Sequence, residues 1–334
     1  MISTDICIIG AGPVGLFAVF EAGLLKMRCH LIDALPQVGG QLSEIYPHKP
    51  IYDIPGYPEI KAQDLVERLM EQIDTFKPTF TLGERVQTLT RKEDGSFITE
   101  TNDGTQVHSK VIVIAGGLGS FEPRKPEIDN LALYEGKGIA YMVKNPELFR
   151  NEKVVLAGGG DSALDWTIFL ENIAQRVTLV HRGDTFRGAP DSAEKIFELA
   201  KEGRIDLILQ SNITRVDGKG HLTHITIESR DKSVQTIEAN FLIPLFGLSP
   251  KLGPIAEWGL NIDKSAISVN TTDYSTNVEG IFAIGDINTY PGKLKLILCG
   301  FHEAALMAQS AFKFVFPEQK LSFKYTTVNG VNAF

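Results

Sequence analysis

Three cysteines are all that this chain of 334 residues contains. Cys7, Cys29 and Cys299 stand too far apart for a CxxC redox pair or a metal-ligand cluster, so neither a dithiol centre nor a metal site is expected. Cys7 and Cys29 fall in or beside neighbouring expected strands and read as small buried hydrophobes. Long apolar runs are missing as well. No stretch of eighteen apolar residues occurs, and the first apolar segment, Ile6 to Ile9, begins too early and is too short for a signal peptide. A soluble protein of the cytoplasm, with no membrane partner, is the expectation. Basic charge is also in deficit: 33 lysines and arginines against 41 acids leave −8, which argues against nucleic acid as a partner. With 43% apolar and 22% charged residues, a chain this long can bury two medium cores. No low-complexity tract interrupts it.

What is present is one supersecondary unit, written twice. The strand-like Ile6-Cys7-Ile8-Ile9 leads into Gly10-Ala11-Gly12-Pro13-Val14-Gly15 and an apolar helix pattern from Leu16 to Leu25. In such a turn the first glycine permits the bend, the second lets a pyrophosphate approach the backbone, and the third lets helix and strand pack closely. A second strand, His30-Leu31-Ile32, then delivers Asp33, 23 residues after Gly10, where a carboxylate can meet ribose hydroxyls. A glycine motif alone is weak; strand, motif, helix, strand and terminal acid together point to a dinucleotide.

The second copy runs from Lys153-Val154-Val155-Leu156 into Gly158-Gly159-Gly160-Asp161-Ser162-Ala163, a GxGxxA variant, and on to the strand Val177-Thr178-Leu179-Val180. Here the tip carries His181-Arg182, with Arg187 one loop further on. An acid there would repel the 2′-phosphate of NADP, whereas arginines bind it bidentately. Two dinucleotide sites of opposite charge preference imply FAD in the first and NADPH in the second. Gly280-Ile281-Phe282-Ala283-Ile284-Gly285-Asp286-Ile287, an apolar strand ending in Gly-Asp before a helix from Leu296 to Phe314, supports a flavoprotein, because Asp286 can accept from a ribityl hydroxyl.

In this order and size the motifs resemble the two-domain flavoprotein disulfide reductases, low-molecular-weight thioredoxin reductase above all. There a CxxC follows a Gly-x-Gly-Val-x-Tyr stretch. Here Gly136-Lys137-Gly138-Ile139-Ala140-Tyr141 is followed by Met142-Val143-Lys144-Asn145, and neither sulfur is present. Dithiol relay chemistry needs an attacking thiolate and a resolving thiol, so that route is closed. Gly39-Gly40-Gln41-Leu42-Ser43-Glu44-Ile45-Tyr46-Pro47, Ile51-Tyr52-Asp53-Ile54-Pro55-Gly56 and the tail Phe323-Lys324-Tyr325-Thr326-Thr327 instead resemble the bacterial-type ferredoxin (flavodoxin)–NADP reductases, the branch without the cysteines.

That resemblance implies an α/β fold of two Rossmann-like dinucleotide-binding domains, the second inserted in the first: an FAD domain over 1–115 and 248–334 and an NADPH domain over 116–247. FAD would be held by Gly10, Gly12, Pro13, Gly15, Asp33, Gln41, Tyr46, Asp286 and Thr327, and by the backbone near Val86 and Phe121. Tyr46 and Tyr325 would cover the two faces of the flavin. By position alone Tyr46 is an ordinary half-buried loop residue and Tyr325 lies in a fraying tail. NADPH would be held by Gly158, Gly160, Asp161, Ser162, Ala163, His181, Arg182 and Arg187. One departure stands out: the family segment reads His-Arg-Arg…Arg, and here the second arginine is Gly183.

The expected reaction is hydride transfer from NADPH to flavin N5 and single-electron transfer to ferredoxin or flavodoxin, with no catalytic side chain of its own. Tyr325 would have to move for the nicotinamide to stack. Lys293, Lys295, Arg124 and Lys125 are candidate docking cations for an acidic carrier, and a homodimer is expected from the resemblance. The rival readings are an NAD(P)H oxidase or diaphorase using oxygen or quinone, and a flavin-binding regulator with a vestigial second site.

Overall fold

The computed structural model describes residues 1–119, 122–143, 145–249, 251–321 and 330–331. The chain divides into two compact units, one of Met1–Phe121 with Pro250–Phe334 and one of Glu122–Ser249. The crossovers therefore fall at 121/122 and 249/250, a few residues beyond the boundaries expected at 115/116 and 247/248. Gly116 to Gly119 stay with the first unit because Gly119 donates its N–H to Gly116 (2.8 Å) and Lys251 donates to Leu118 (3.1 Å). In the second unit Glu122–Pro123 pairs with Leu248–Ser249.

In chain order the elements that build the sites are β1 (Ile6–Ile9), α1 (Pro13–Leu24), β2 (Cys29–Asp33), α2 (Ala62–Ile73), β3 (Thr79–Leu82) and β4 (Val111–Ile114), then in the second unit β5 (Lys153–Ala157), α3 (Asp161–Leu170), β6 (Arg176–Val180), α4 (Pro190–Lys201), β7 (Asp206–Ile208) and β8 (Phe241–Pro244), and on return β9 (Ile281–Ala283) and α5 (Ile297–Val315). The first unit's sheet has the order β9-β4-β1-β2-β3, parallel throughout. Its strands are covered on both faces, and alternation decides which residue goes where. Ile6, Ile8, Leu31, Val111 and Val113 face α1, α2 and α5, while Cys7, Ile9, Ile32, Ile112 and Ile114 pack with Val86, Phe97 and Val107, on three antiparallel strands of a second, mixed sheet. Cys7 and Cys29 are buried as expected, and burial raises the Cys7 thiol to about 12. Helices α1 and α5 meet at a glycine: a Cβ on Gly300 would lie 2.3 Å from Val14 Cγ2.

The second unit repeats the scheme on four parallel strands, β7-β6-β5-β8, with α3 and α4 beside them. Its three-stranded antiparallel sheet, Ser211–Gly218, Leu222–Ser229 and Val234–Glu238, includes the hairpin that Asp217-Gly218-Lys219-Gly220 leads one to expect.

Candidate nucleotide sites

A cavity of about 350 Å³ lies within the first unit, over the carboxyl ends of its strands. Its wall runs from Asp33, the last residue of β2, with Ala34 and Leu35, past Gly10, Gly12 and Pro13 after β1 and Ala115 to Gly117 after β4, to Gly285 and Asp286 after β9. Those four neighbouring strands span three steps of about 4.8 Å, roughly 14 Å, so the cavity is suited to an extended ligand. Gln41, Tyr46 and Val86 also line it.

The turn after β1 owes its glycines to two different causes. Gly10, at φ +110°, has no room for a side chain, since a Cβ would lie 2.4 Å from the Ala115 carbonyl oxygen, and a Cβ on Gly15 would lie 2.1 Å from that of Gly10. These two serve the packing of strand, turn and helix. Gly12, the N-cap of α1, has nothing within 4 Å of an added Cβ. The fold makes no demand for glycine there, so the open face toward the cavity is the cradle a phosphate would fill at a helix N-terminus. Pro13 at N1 gives up an N–H the helix does not use.

Asp33 is fixed by its own backbone. Oδ2 accepts from Ala11 N (2.6 Å) and Oδ1 from Leu35 N (2.9 Å), and burial raises its pKa while these two bonds lower it. Each oxygen keeps a lone pair for a sugar hydroxyl. At the far end Asp286 sits in the turn Gly285–Ile287, where burial raises its carboxyl and the charges of Lys295 and Lys293 lower it. Tyr46 has its hydroxyl pushed to about 12, by burial first and by Asp286 and Asp53 next. The phenol therefore stays protonated beside Asp286. Phe121, Tyr325 and Thr327 lie outside the described residues.

Behind Asp286 is a residue that the motifs do not reveal. Glu303, wholly buried on α5, accepts from Gly285 N (2.6 Å), Asn288 Nδ2 (2.8 Å), Tyr290 Oη (2.8 Å) and Lys293 Nζ (2.5 Å). Lys293 is itself only 6% exposed. Lys293 is thus removed from the candidate docking cations, and Lys125, paired with Glu135 at 2.8 Å, is committed locally as well. The signal was an acid inside the apolar stripe Gly300, Ala304, Met307, Ala308, Ala311 of α5.

The turn after β5 follows the same division of labour. A Cβ on Gly158 would lie 2.7 Å from the Leu245 carbonyl oxygen, whereas Gly160, the N-cap of α3, has nothing within 4 Å. Ala163 fits where Gly15 stands in the first copy and is fully buried. Asp161 and Ser162 are exposed in the first turn of α3, and Asp161 Oδ1 accepts from Ala189 N (2.7 Å), tying down the end of the following loop. His181 lies beneath the same turn. Its buried ring lies under Gly159, 2.2 Å from where a Cβ would be, and its Nε2 meets the Thr185 carbonyl oxygen at 3.0 Å. It supports the turn from below. Arg182 and Arg187 are exposed and form no ion pair among the described residues, while Arg187 N donates to Gly159 (2.7 Å).

Two glycine turns on parallel sheets, each with an open N-cap glycine, and a long cavity in one unit define a two-nucleotide oxidoreductase. Residues 4–304 match the family model described as pyridine nucleotide-disulphide oxidoreductase. A ferredoxin–NADP reductase of Flavobacterium johnsoniae is 62% identical over 100% of this chain and 95% of its own length. One from Bradyrhizobium diazoefficiens is 51% identical over 98% and 96%. Among solved structures, thioredoxin reductase of Lactococcus lactis matches with TM-score 0.81 at 26% identity, covering 94% of this chain and 99% of its own. The chain belongs to the pyridine nucleotide-disulphide oxidoreductase family, in the branch formed by the ferredoxin–NADP reductases. No helix among the described residues is long and apolar enough to cross a membrane, and no group of three or more candidate metal ligands occurs there.

Proposed function

We propose that this protein is an FAD-dependent ferredoxin–NADP reductase, moving electrons between NADPH and a one-electron carrier, ferredoxin or flavodoxin. The observation that carries the reading is the pair of glycine turns with opposite tips: a fixed carboxylate at Asp33 and, at Arg182 and Arg187, guanidinium groups in no ion pair among the described residues. The missing cysteine pair fits electron transfer without a dithiol relay, and the relatives named ferredoxin–NADP reductase support the carrier.

FAD, when bound, supplies hydride acceptance and single-electron donation. The protein supplies the rest. Gly12 admits the pyrophosphate to the N-terminus of α1, Asp33 accepts from the adenosine ribose, and Asp286 accepts from the ribityl chain. Gln41 and Tyr46 line the wall, Tyr46 covering one ring face, and Val86 offers its backbone. In the second unit Gly160, with Ser162 and the N-terminus of α3, receives the NADPH pyrophosphate, and Arg182 with Arg187 takes the 2′-phosphate. Gly158, Ala163, Asp161 and His181 hold that turn in shape. Phe121, Tyr325 and Thr327 complete the FAD assignment on the strength of resemblance. A homodimer of the cytoplasm is the state we infer from the same resemblance.

The test is anaerobic mixing of the yellow holoprotein with NADPH and with NADH, then addition of oxidised ferredoxin with cytochrome c as final acceptor. Fast bleaching by NADPH and ferredoxin-dependent cytochrome c reduction are expected. Bleaching without any effect of ferredoxin would transfer the protein to the oxidase or diaphorase class, and no bleaching would leave a nucleotide-binding regulator.

A further inference from the structure

The second unit has eight arginines, and four of them, Arg150, Arg176, Arg204 and Arg215, are held by carboxylates. Arg124, Arg182, Arg187 and Arg230 are exposed and form no ion pair among the described residues, and Arg124 lies on a different segment from the loop after β6. Arg230 is remote from Arg182 and Arg187 in sequence but not in the fold. The Gly183 carbonyl accepts from Gln210 N (3.0 Å), and the Gln210 carbonyl accepts from Arg230 N (2.8 Å). Two such backbone steps of about 4.8 Å each place the Arg230 backbone some 10 Å from the loop that carries Arg182. A backbone separation of that size is one that two arginine side chains can bridge through a shared phosphate.

The hairpin turn that carries Arg230 leaves that one charge uncommitted. Asp231 is occupied by Ser233, accepting from its N (2.9 Å) and Oγ (2.6 Å), and Lys232 is paired with Glu228 at 2.8 Å. Position 183 cannot provide a cation without rearrangement, because a Cβ there would lie 2.9 Å from Nε2 of His181, whose ring is pinned under Gly159. A guanidinium arriving from the neighbouring hairpin avoids that collision.

We propose that Arg230 is a third residue for the 2′-phosphate of NADP(H), so that nucleotide choice is divided between the loop after β6 and the hairpin turn after Ser229. This rests on the second unit being the NADPH site. A charge-assisted hydrogen bond at an exposed, salt-screened position corresponds to a factor of about ten in affinity. The experiment measures Kd of the FAD-loaded protein for 2′,5′-ADP and for 5′-ADP, in the wild type and in Arg182→Ala, Arg230→Ala and Arg230→Lys. Arg230→Ala should weaken 2′,5′-ADP about tenfold and leave 5′-ADP unchanged, with Arg230→Lys in between. If Arg182→Ala weakens 2′,5′-ADP and Arg230→Ala leaves it within twofold, the role of Arg230 is overturned and the NADPH site stands. If the wild type binds both ligands equally and Arg182→Ala changes neither, the site assignment falls and the role of Arg230 with it.

Discussion

The two glycine turns are nearly superposable in logic and opposite in surroundings. Each has a crowded first glycine, an open N-cap glycine and a small third residue, Gly15 or Ala163. The first feeds a long cavity whose acids, Asp33 and Asp286, are largely withdrawn from water; the second ends in arginines that stand in solvent. Backbone geometry makes a phosphate site in both. Burial then separates a resident group from an exchanging one, because a ligand sunk in a cavity gains apolar contact that a ligand on an exposed rim does not. The charge at the strand tip decides which nucleotide is taken.

The largest effect should come from breaking what the first turn's far wall has and the second turn, among the described residues, does not: a buried ion pair. Glu303→Ala would strand Lys293 as an unpaired buried charge, costing about 3 to 5 kcal/mol, and would free the N–H of Gly285 beside Asp286. Thermal unfolding of the cofactor-free protein should show it. Glu303→Gln keeps the shape but not the charge and should fall between; equal stability of all three proteins would show that the pair contributes nothing.

Next in size is a paired dissociation. Gly12→Ala and Gly160→Ala meet no protein atom, so both variants should fold. Each places a methyl group where the phosphate must approach. Gly12→Ala should lose FAD affinity by about 10², the cost of one or two charge-assisted backbone bonds, and keep NADP binding in whatever holoprotein remains. Gly160→Ala should do the reverse. Loss of both nucleotides in either variant would mean that the open N-cap glycines serve the fold after all. Gly15→Ala is the control for true crowding, since its Cβ would lie 2.1 Å from the Gly10 oxygen and must shift the helix.

How much of this could be read beforehand follows from range. The turns, their strands and Asp33 were legible because all the required residues lie within one βαβ stretch, where periodicity and glycine spacing are local signals. The tertiary position of His181 was not: its place under Gly159 is a contact across the turn, and a histidine beside an arginine gives no sign of which will be buried. Lys293 looked like any surface lysine next to Lys295, and only the packing of α5 brings Glu303 to it. The first crossover lies beyond the expected 115/116 because Gly119 pairs with the returning chain at Lys251, a contact between segments more than a hundred residues apart.

A smaller change tests the charge at the second tip. Arg182→Ala or Arg187→Ala should each reduce the preference for NADPH over NADH about tenfold in the rate of flavin bleaching at low nucleotide concentration, with the NADH rate unaltered. Added salt should narrow the wild-type preference, because these side chains are exposed. A preference that survives both substitutions would place the 2′-phosphate elsewhere.

The smallest effect is also the one with opposite signs in the two forms of the protein. Burial raises the Asp286 carboxyl above its ordinary value, so between that ordinary value and the raised one the folded protein holds a proton the unfolded chain has lost. Stability of the cofactor-free protein therefore falls as pH rises through this window, and the penalty is complete above it. Asp286→Asn removes the penalty and should raise the melting temperature of the cofactor-free protein slightly at neutral pH, with no gain at a pH below the ordinary aspartate value. With FAD the sign inverts, since the carboxylate is then wanted as an acceptor: the same variant should bind the flavin more weakly, by about 1 kcal/mol, the difference between a charged and a neutral acceptor. Arg182→Ala, at a group already in water, should change neither melting curve. If Asp286→Asn lowers stability in both forms, the carboxylate is held by partners of its own, and the contrast between a buried acid kept for a ligand and an exposed arginine kept for one does not hold.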